Sequence, residues 1–311
     1  MVINAKHIIS ALPLIASILG RKYGVRVEIG GDHAYTDGKI IHLPSLPTDG
    51  DATLLGLAKG FIDHESAHLR ATDFDLVKQA KLTPLEKHVW NMLEDYVAEH
   101  KLAAIYPGCR HNLNWLLKHL FVDEHESNQG IDPGVQLLNW MLLKIRSWDL
   151  GEIGLCCDLA AKDVDEHFPG LLPKLEVVLN TVPSKCQNTK DCITTAHELV
   201  KLLQQHQVEL EEQEQRQQDD QQSNADQNGE GEDGSSAEQG QNSPVKQNSS
   251  QASQSLQALI GAGDNELPKD IGQELAEKLG AQHAQPHGDK ISVAIATGKH
   301  LGSGLINLDK R

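Results

Sequence analysis

A chain of 311 residues, 39% of them hydrophobic, is long enough for one or two domains with a sizeable core. Its formal net charge of -16 at pH 7 argues against nucleic acid or an anionic membrane as partner. The five cysteines are odd in number and contain no CxxC pair, which fits a reducing, cytoplasmic compartment and argues against a cysteine-built zinc site.

In chain order, Ile8, Leu12, Ile15 and Leu19 fall on one helical face. Pro13, the lack of an A-x-A cleavage pattern and the short length make this a packing helix rather than a signal peptide or membrane span. Residues 25–29 alternate like a strand and end at Gly30-Gly31. Residues 34–36 and 39–43 flank Asp37-Gly38, a strong hairpin signal, and Pro44 and Pro47 close the sheet. An edge strand of such a sheet can pair with an extended peptide.

The stretch 51–73 organises the rest. Leu54, Leu57 and Phe61 form an apolar helical stripe that runs directly into His64-Glu65-Ser66-Ala67-His68, an HExxH sequence. Residues four apart sit one above the other on a helix, so His64 and His68 can share one Zn²⁺. Glu65 lies about 100° round the helix, where it can take a proton from water at the metal's open position. Asp49 or Asp51 can cap the helix start.

Thr83-Pro84-Leu85-Glu86 is a capping box with proline at the first helical position, opening a helix expected to reach Ala104 and stop at Pro107-Gly108. Further helices are expected over 114–122, 135–148, 171–179 and 189–203. Trp115, Trp140 and Trp148 read as packing residues, His125 and His167 as solvated positions beside acidic residues, and Cys156-Cys157 as apolar filler. From Glu209 to Glu238 there are eleven acidic residues and one arginine. Residues 204–255 carry almost no large apolar side chain and are expected to form a disordered acidic linker, the stretch up to Gln222 being able to continue the preceding helix. Residues 256–311 hold two short apolar clusters, too little for a domain of normal size, and read as a short tail or the remnant of a truncated domain.

Zinc on two histidines and a water needs a third protein ligand. A metzincin continuation is excluded, because Ala71 and Phe74 stand where its glycine and third histidine would be. A glutamate from a later helix is the alternative. Helical position alone leaves Glu94, His100 and Glu99 open, in that order.

The run His64 to Phe74, followed by Asn91-Met92-Leu93-Glu94-Asp95, resembles the CobT-like family, which is named after a cobaltochelatase subunit and often carried by phages and mobile elements. Its members have a gluzincin-like domain, an acidic low-complexity linker and a von Willebrand factor A domain. The resemblance covers residues 1–255 in order of parts. It implies Glu94 as third metal ligand and Asp95 as the residue orienting a histidine. Two departures stand out. Tyr96-Val97 occupies the place of an arginine usual after the LED, and no DxSxS motif of the von Willebrand domain is present. An AAA+ ATPase partner is implied by the resemblance alone.

The expected fold is α+β and mainly helical: a zincin-like domain over 1–203, with a small N-terminal β-sheet packed on the HExxH helix, then the acidic segment. The expected function is zinc-dependent hydrolysis of a peptide or protein substrate, with His64, His68 and Glu94 on the metal, Glu65 as general base, Asp95 behind a histidine and His100 as the alternative ligand. No oxyanion-stabilising residue can be assigned; Tyr96, Tyr106 and His100 are nearby candidates. The competing expectation is a non-catalytic adaptor, or a chelatase-complex subunit, with a structural metal.

Overall fold

The N-terminal apolar face packs inward. In the computed structural model, which describes residues 5–22, 24–29, 35–43, 52–123, 131–227, 244–263 and 291–293, helix α1 (Ala5–Leu19) buries Leu12, Ala16 and Leu19. Three short strands follow: β1 (Arg26–Ile29), β2 (Tyr35–Thr36) and β3 (Ile40–Leu43). β2 and β3 form the expected antiparallel hairpin, pairing Tyr35 with His42 and Thr36 with Ile41. At its turn Gly38 takes φ 84°, which glycine adopts at no steric cost, and Asp37 Oδ1 accepts from the N–H groups of Lys39 and Ile40.

Helix α2 (Ala52–Ala71) carries HExxH, and α3 (Phe74–Ala80) follows it. Helix α4 (Pro84–Ile105) begins with the expected reciprocal capping box between Thr83 and Glu86. Pro107 does not merely stop that helix. It opens the next, α5 (Pro107–Lys118), because a proline at the first position forfeits no intrahelical hydrogen bond. α5 runs into a single π turn at His119–Asp123. Then come α6 (Pro133–Arg146), α7 (Ile153–His167), α8 (Leu171–Leu179), α9 (Val182–Lys185), α10 (Thr189–Gln227) and α11 (Pro244–Gly261). A last strand, β4 (Ile291–Val293), pairs antiparallel with β1, while β1 pairs parallel with β3, giving the order β2-β3-β1-β4.

Two larger cores lie to either side of the HExxH helix, and a smaller cluster joins its Ala67 to Leu19, Ala98, Leu102, Cys109 and Leu113. On one side α1, the sheet, α2 and α5 bury Leu12, Val27, Ile41, Leu57, Phe61 and Leu116 together. α2 and α5 approach closely at two glycines four residues apart. A Cβ at Gly56 would lie 2.4 Å from the Trp115 ring, and one at Gly60 would lie 2.8 Å from Leu116 Cβ. On the other side α4, α6, α7, α8, α10 and α11 enclose a larger core that includes Leu93, Trp140, Phe168 and Leu199. The protein is thus mainly helical with a small N-terminal sheet.

Both ends of the 204–255 stretch are helical. α10 continues to Gln227, and Ala252, Leu256 and Leu259 of α11 form a stripe at helical spacing that joins the larger core. Ser255 Oγ also caps α6, accepting from Gly134 N at 2.7 Å and donating to Asp132 Oδ1. The centre of the expected linker, residues 228–243, lies outside the described residues, as do His125 and nearly all of the tail beyond Gly263. His167, read as solvated, is half-buried, and its Nδ1 is shut off from solvent without a hydrogen-bond partner. Among the described residues, no helix is long and apolar enough to cross a membrane.

Candidate metal centre

α2 and α4 each present two polar side chains at a spacing of four. On α2 these are His64 and His68; on α4, Asp95 and Glu99. The helices run antiparallel here, so the first residue of one pair meets the second of the other. His64 Nδ1 lies 2.7 Å from Glu99 Oε1, and His68 Nε2 lies 3.1 Å from Asp95 Oδ1. Thr72, one turn beyond His68, bonds that ring's Nδ1 at 3.0 Å. Each imidazole therefore has its Nδ1 engaged, which fixes the ring and leaves Nε2 as the nitrogen available to a metal.

Arg146, the last residue of α6, closes the arrangement from behind. Its two terminal nitrogens donate to Glu99 Oε2 at 2.8 Å and Asp95 Oδ2 at 2.9 Å. It is only 1% exposed, and the carboxylates it binds are also buried. Burial alone would drive these groups towards neutrality, but mutual attraction prevails. For Asp95, burial raises the pKa, yet His68, His64 and Arg146 together bring it down to about 2. For His64, burial lowers the pKa, yet the Glu99 hydrogen bond and the charges of Asp95, Glu99 and Glu65 lift it to about 9. Glu99 is held below its ordinary value by Arg146 and His64, against the effect of burial.

The donor set fits a small N/O-preferring cation. One ligand atom each from His64, His68 and Asp95 lies within 4.8 Å of the others, the group of this kind found among the described residues. Asp95 Oδ1 is buried, and His68 Nε2 lies 3.1 Å from it. Gathered this closely and shielded from solvent, the two imidazole nitrogens and the carboxylate oxygen could share one cation. Two imidazole nitrogens and a carboxylate oxygen, with an adjacent glutamate, are a zinc donor set that leaves a fourth position open.

The carboxylate that meets the two histidines is Asp95, not Glu94. Glu94 is 1% exposed but faces α10 rather than α2. Its Oε1 accepts from Thr189 Oγ1 at 2.7 Å, and Oε2 is buried without a partner. Adjacent helical residues point about 100° apart, so only one of Glu94 and Asp95 can face the histidines. His100, the alternative, is 52% exposed and lies by Asp149 and Arg110, away from the two histidines. Asp95 thus sits directly against His68, and the role of bracing a histidine falls to Glu99 and Thr72. Glu65 is 3% exposed and close enough for its charge to act on His64. The opposite side of α2 is anchored to α5, where buried Asp63 accepts from Asn112 Nδ2 at 2.8 Å.

Sequence reasoning did not single out Thr72, Thr189 or Arg146. The repeated spacing of four in Asp95 and Glu99, matching that of His64 and His68, is the signal that could have selected Asp95. Arg146 left none, since a basic residue ending an apolar helix reads as an ordinary charge at a helix C-terminus. No family model, curated protein or solved structure matches this chain.

Proposed function

We propose that the chain is a zinc-dependent peptidase in which His64, His68 and Asp95 hold the metal and Glu65 is the general base. The observation that carries this reading is the convergence of the two HExxH imidazoles, each oriented through Nδ1, on one buried carboxylate oxygen of Asp95. Zinc, when bound, supplies a Lewis acid that polarises a carbonyl and acidifies water. Glu65 holds the proton taken from the attacking water and returns it to the leaving amine. Arg146, Glu99 and Thr72 keep the three donors in place, and burial excludes bulk water from them. The CobT-like resemblance supports the histidine pair and the base but assigns the third ligand to Glu94; the geometry favours its neighbour. A zincin-like fold, a cytoplasmic setting and an AAA+ ATPase partner belong to the same proposal.

A second reading, an adaptor with a structural metal, is favoured by the burial of all three donors to 8% exposure or less. Incubating the zinc-loaded chain with a mixed peptide library separates the two. The peptidase reading expects cleavage, and Glu65→Gln should reduce it by on the order of a hundredfold with zinc retained. A zinc-loaded wild type that cleaves nothing supports the adaptor.

A further inference from the structure

Buried Glu94 meets its hydrogen-bond partner where α10 begins. Asn188 Oδ1 accepts from Asp191 N at 3.1 Å and so caps the first turn of that helix. This sets Thr189, the first residue of α10 and only 2% exposed, against both α4 and the corner between α2 and α3. A threonine hydroxyl has one proton and two lone pairs, and here the neighbours decide how each is used. The backbone N–H of Asp73, 2.9 Å away, can only donate, so it takes a lone pair. The hydroxyl proton therefore goes to Glu94 Oε1, 2.7 Å away.

The Asp73 N–H shares one rigid peptide plane with the Thr72 carbonyl. Thr72 is thus held from both sides. Its own N–H donates to His68 O at 3.0 Å, and the peptide that follows it is pinned by Thr189. A β-branched side chain is stiff at χ1, so a fixed backbone also fixes Thr72 Oγ1, which lies 3.0 Å from His68 Nδ1. We propose that Thr189 and Glu94 are positioning residues for the metal centre, holding the 72–73 peptide so that Thr72 keeps the His68 ring with Nε2 turned to the metal. The inference rests on the reading of His64, His68 and Asp95 as metal ligands. It gives Glu94 a role in the centre other than that of a ligand.

With a metal on Nε2, His68 Nδ1 carries the proton and donates it to Thr72 Oγ1. Valine at position 189 keeps the shape of threonine and removes the hydroxyl, so the Asp73 N–H loses its acceptor. The Asp73 side chain still caps α3 through Leu76 N at 3.0 Å, which leaves the 72–73 peptide as the part free to turn. Once it turns, Oγ1 leaves the imidazole, and the ring loses the contact that selects its orientation and tautomer.

Two readouts on the full chain test this: residue-resolved amide exchange without metal, and zinc affinity by competition with a chelator. Thr189→Val should speed exchange at Asp73 about tenfold and weaken zinc about tenfold, the scale usual for a group behind a ligating histidine. Thr189→Ser keeps the hydroxyl and should restore both. Glu94→Leu removes the acceptor of the hydroxyl proton and should act as Thr189→Val does, so the outcome does not hang on the folding of one variant. A junction that only stabilises the fold would lower the urea midpoint of Thr189→Val and leave its zinc affinity unchanged, and that result overturns the proposal. So does a Thr189→Ser as impaired as Thr189→Val, or exchange at Asp73 that Thr189→Val leaves unaltered. A wild type that binds no zinc overturns the ligand reading and this proposal with it. Exchange at Asp73, read without metal, separates that failure from a failure of the hydrogen-bond relay itself.

Discussion

Replacing Arg146 with methionine tests the charge balance of the centre. The guanidinium is the buried cation that bonds both Asp95 and Glu99, at 2.9 and 2.8 Å. Methionine occupies a comparable volume, so the packing loss is small and the electrostatic loss dominates. Stranding one partner of a buried ion pair costs about 3–5 kcal/mol. Two carboxylates are stranded here, although His64 and His68 remain beside them, which places the expected loss near 4–5 kcal/mol. For a chain with this much ordered structure, that lowers the melting temperature by about 10–20 °C. Urea unfolding of the metal-free protein at neutral pH measures it directly. Arg146→Lys, whose ammonium cannot fork across two carboxylates, should lose about half as much. Saturating zinc should shrink the deficit of Arg146→Met, because a bound cation takes over part of the missing charge. A loss below about 1 kcal/mol without metal would refute the reasoning, since the carboxylates would then not depend on Arg146.

Other outcomes follow from neighbouring parts. Gly60→Ala should destabilise by about 1–3 kcal/mol through overpacking against Leu116, and Gly56→Ala by at least as much against the flat Trp115 ring; equal urea midpoints for wild type and variants would contradict this. Burial pushes the His88 pKa down to about 4 from 6.5, with Asp95 opposing only in part. Because the folded value is the lower one, its contribution is intact above pH 6.5 and lost as the pH falls through 4. His88→Gln should therefore flatten the acid side of the stability profile, and parallel profiles would count against it. Thr189→Val removes the hydroxyl that donates to buried Glu94 and should cost about 1–3 kcal/mol. Unfolding in urea should show this loss, and a neutral result would mean that water replaces the hydroxyl.

The elements legible in the sequence are those set by neighbouring residues. Thr83 and Glu86 announce the start of α4, Asp37-Gly38 makes the hairpin, and Leu57, Phe61, His64 and His68 define one face of α2. Harder were the elements whose stripe is built from small or scattered apolar residues. α7 packs through Ile153, Cys157, Ala160 and Val164, and α11 through Ala252, Leu256 and Leu259 within a Ser/Gln-rich run. Neither pattern stands out until a neighbouring helix supplies the other half of the contact. The choice between Glu94 and Asp95 has the same origin. Both lie on one helix, and only the packing of α10 on one side and α2 on the other decides which carboxylate meets the histidines. Arg146 comes from a helix some fifty residues later, and no spacing rule connects it to Asp95 and Glu99.

The central claim is that one zinc sits on His64, His68 and Asp95. Metal content of tag-free protein, measured by native mass spectrometry after dialysis against a chelator, tests it most directly when wild type, Asp95→Asn and Glu94→Gln are compared. One zinc per chain is predicted for the wild type and for Glu94→Gln, with loss of the metal from Asp95→Asn. A wild type without stoichiometric metal, or a Glu94→Gln variant that empties while Asp95→Asn stays loaded, would contradict the account.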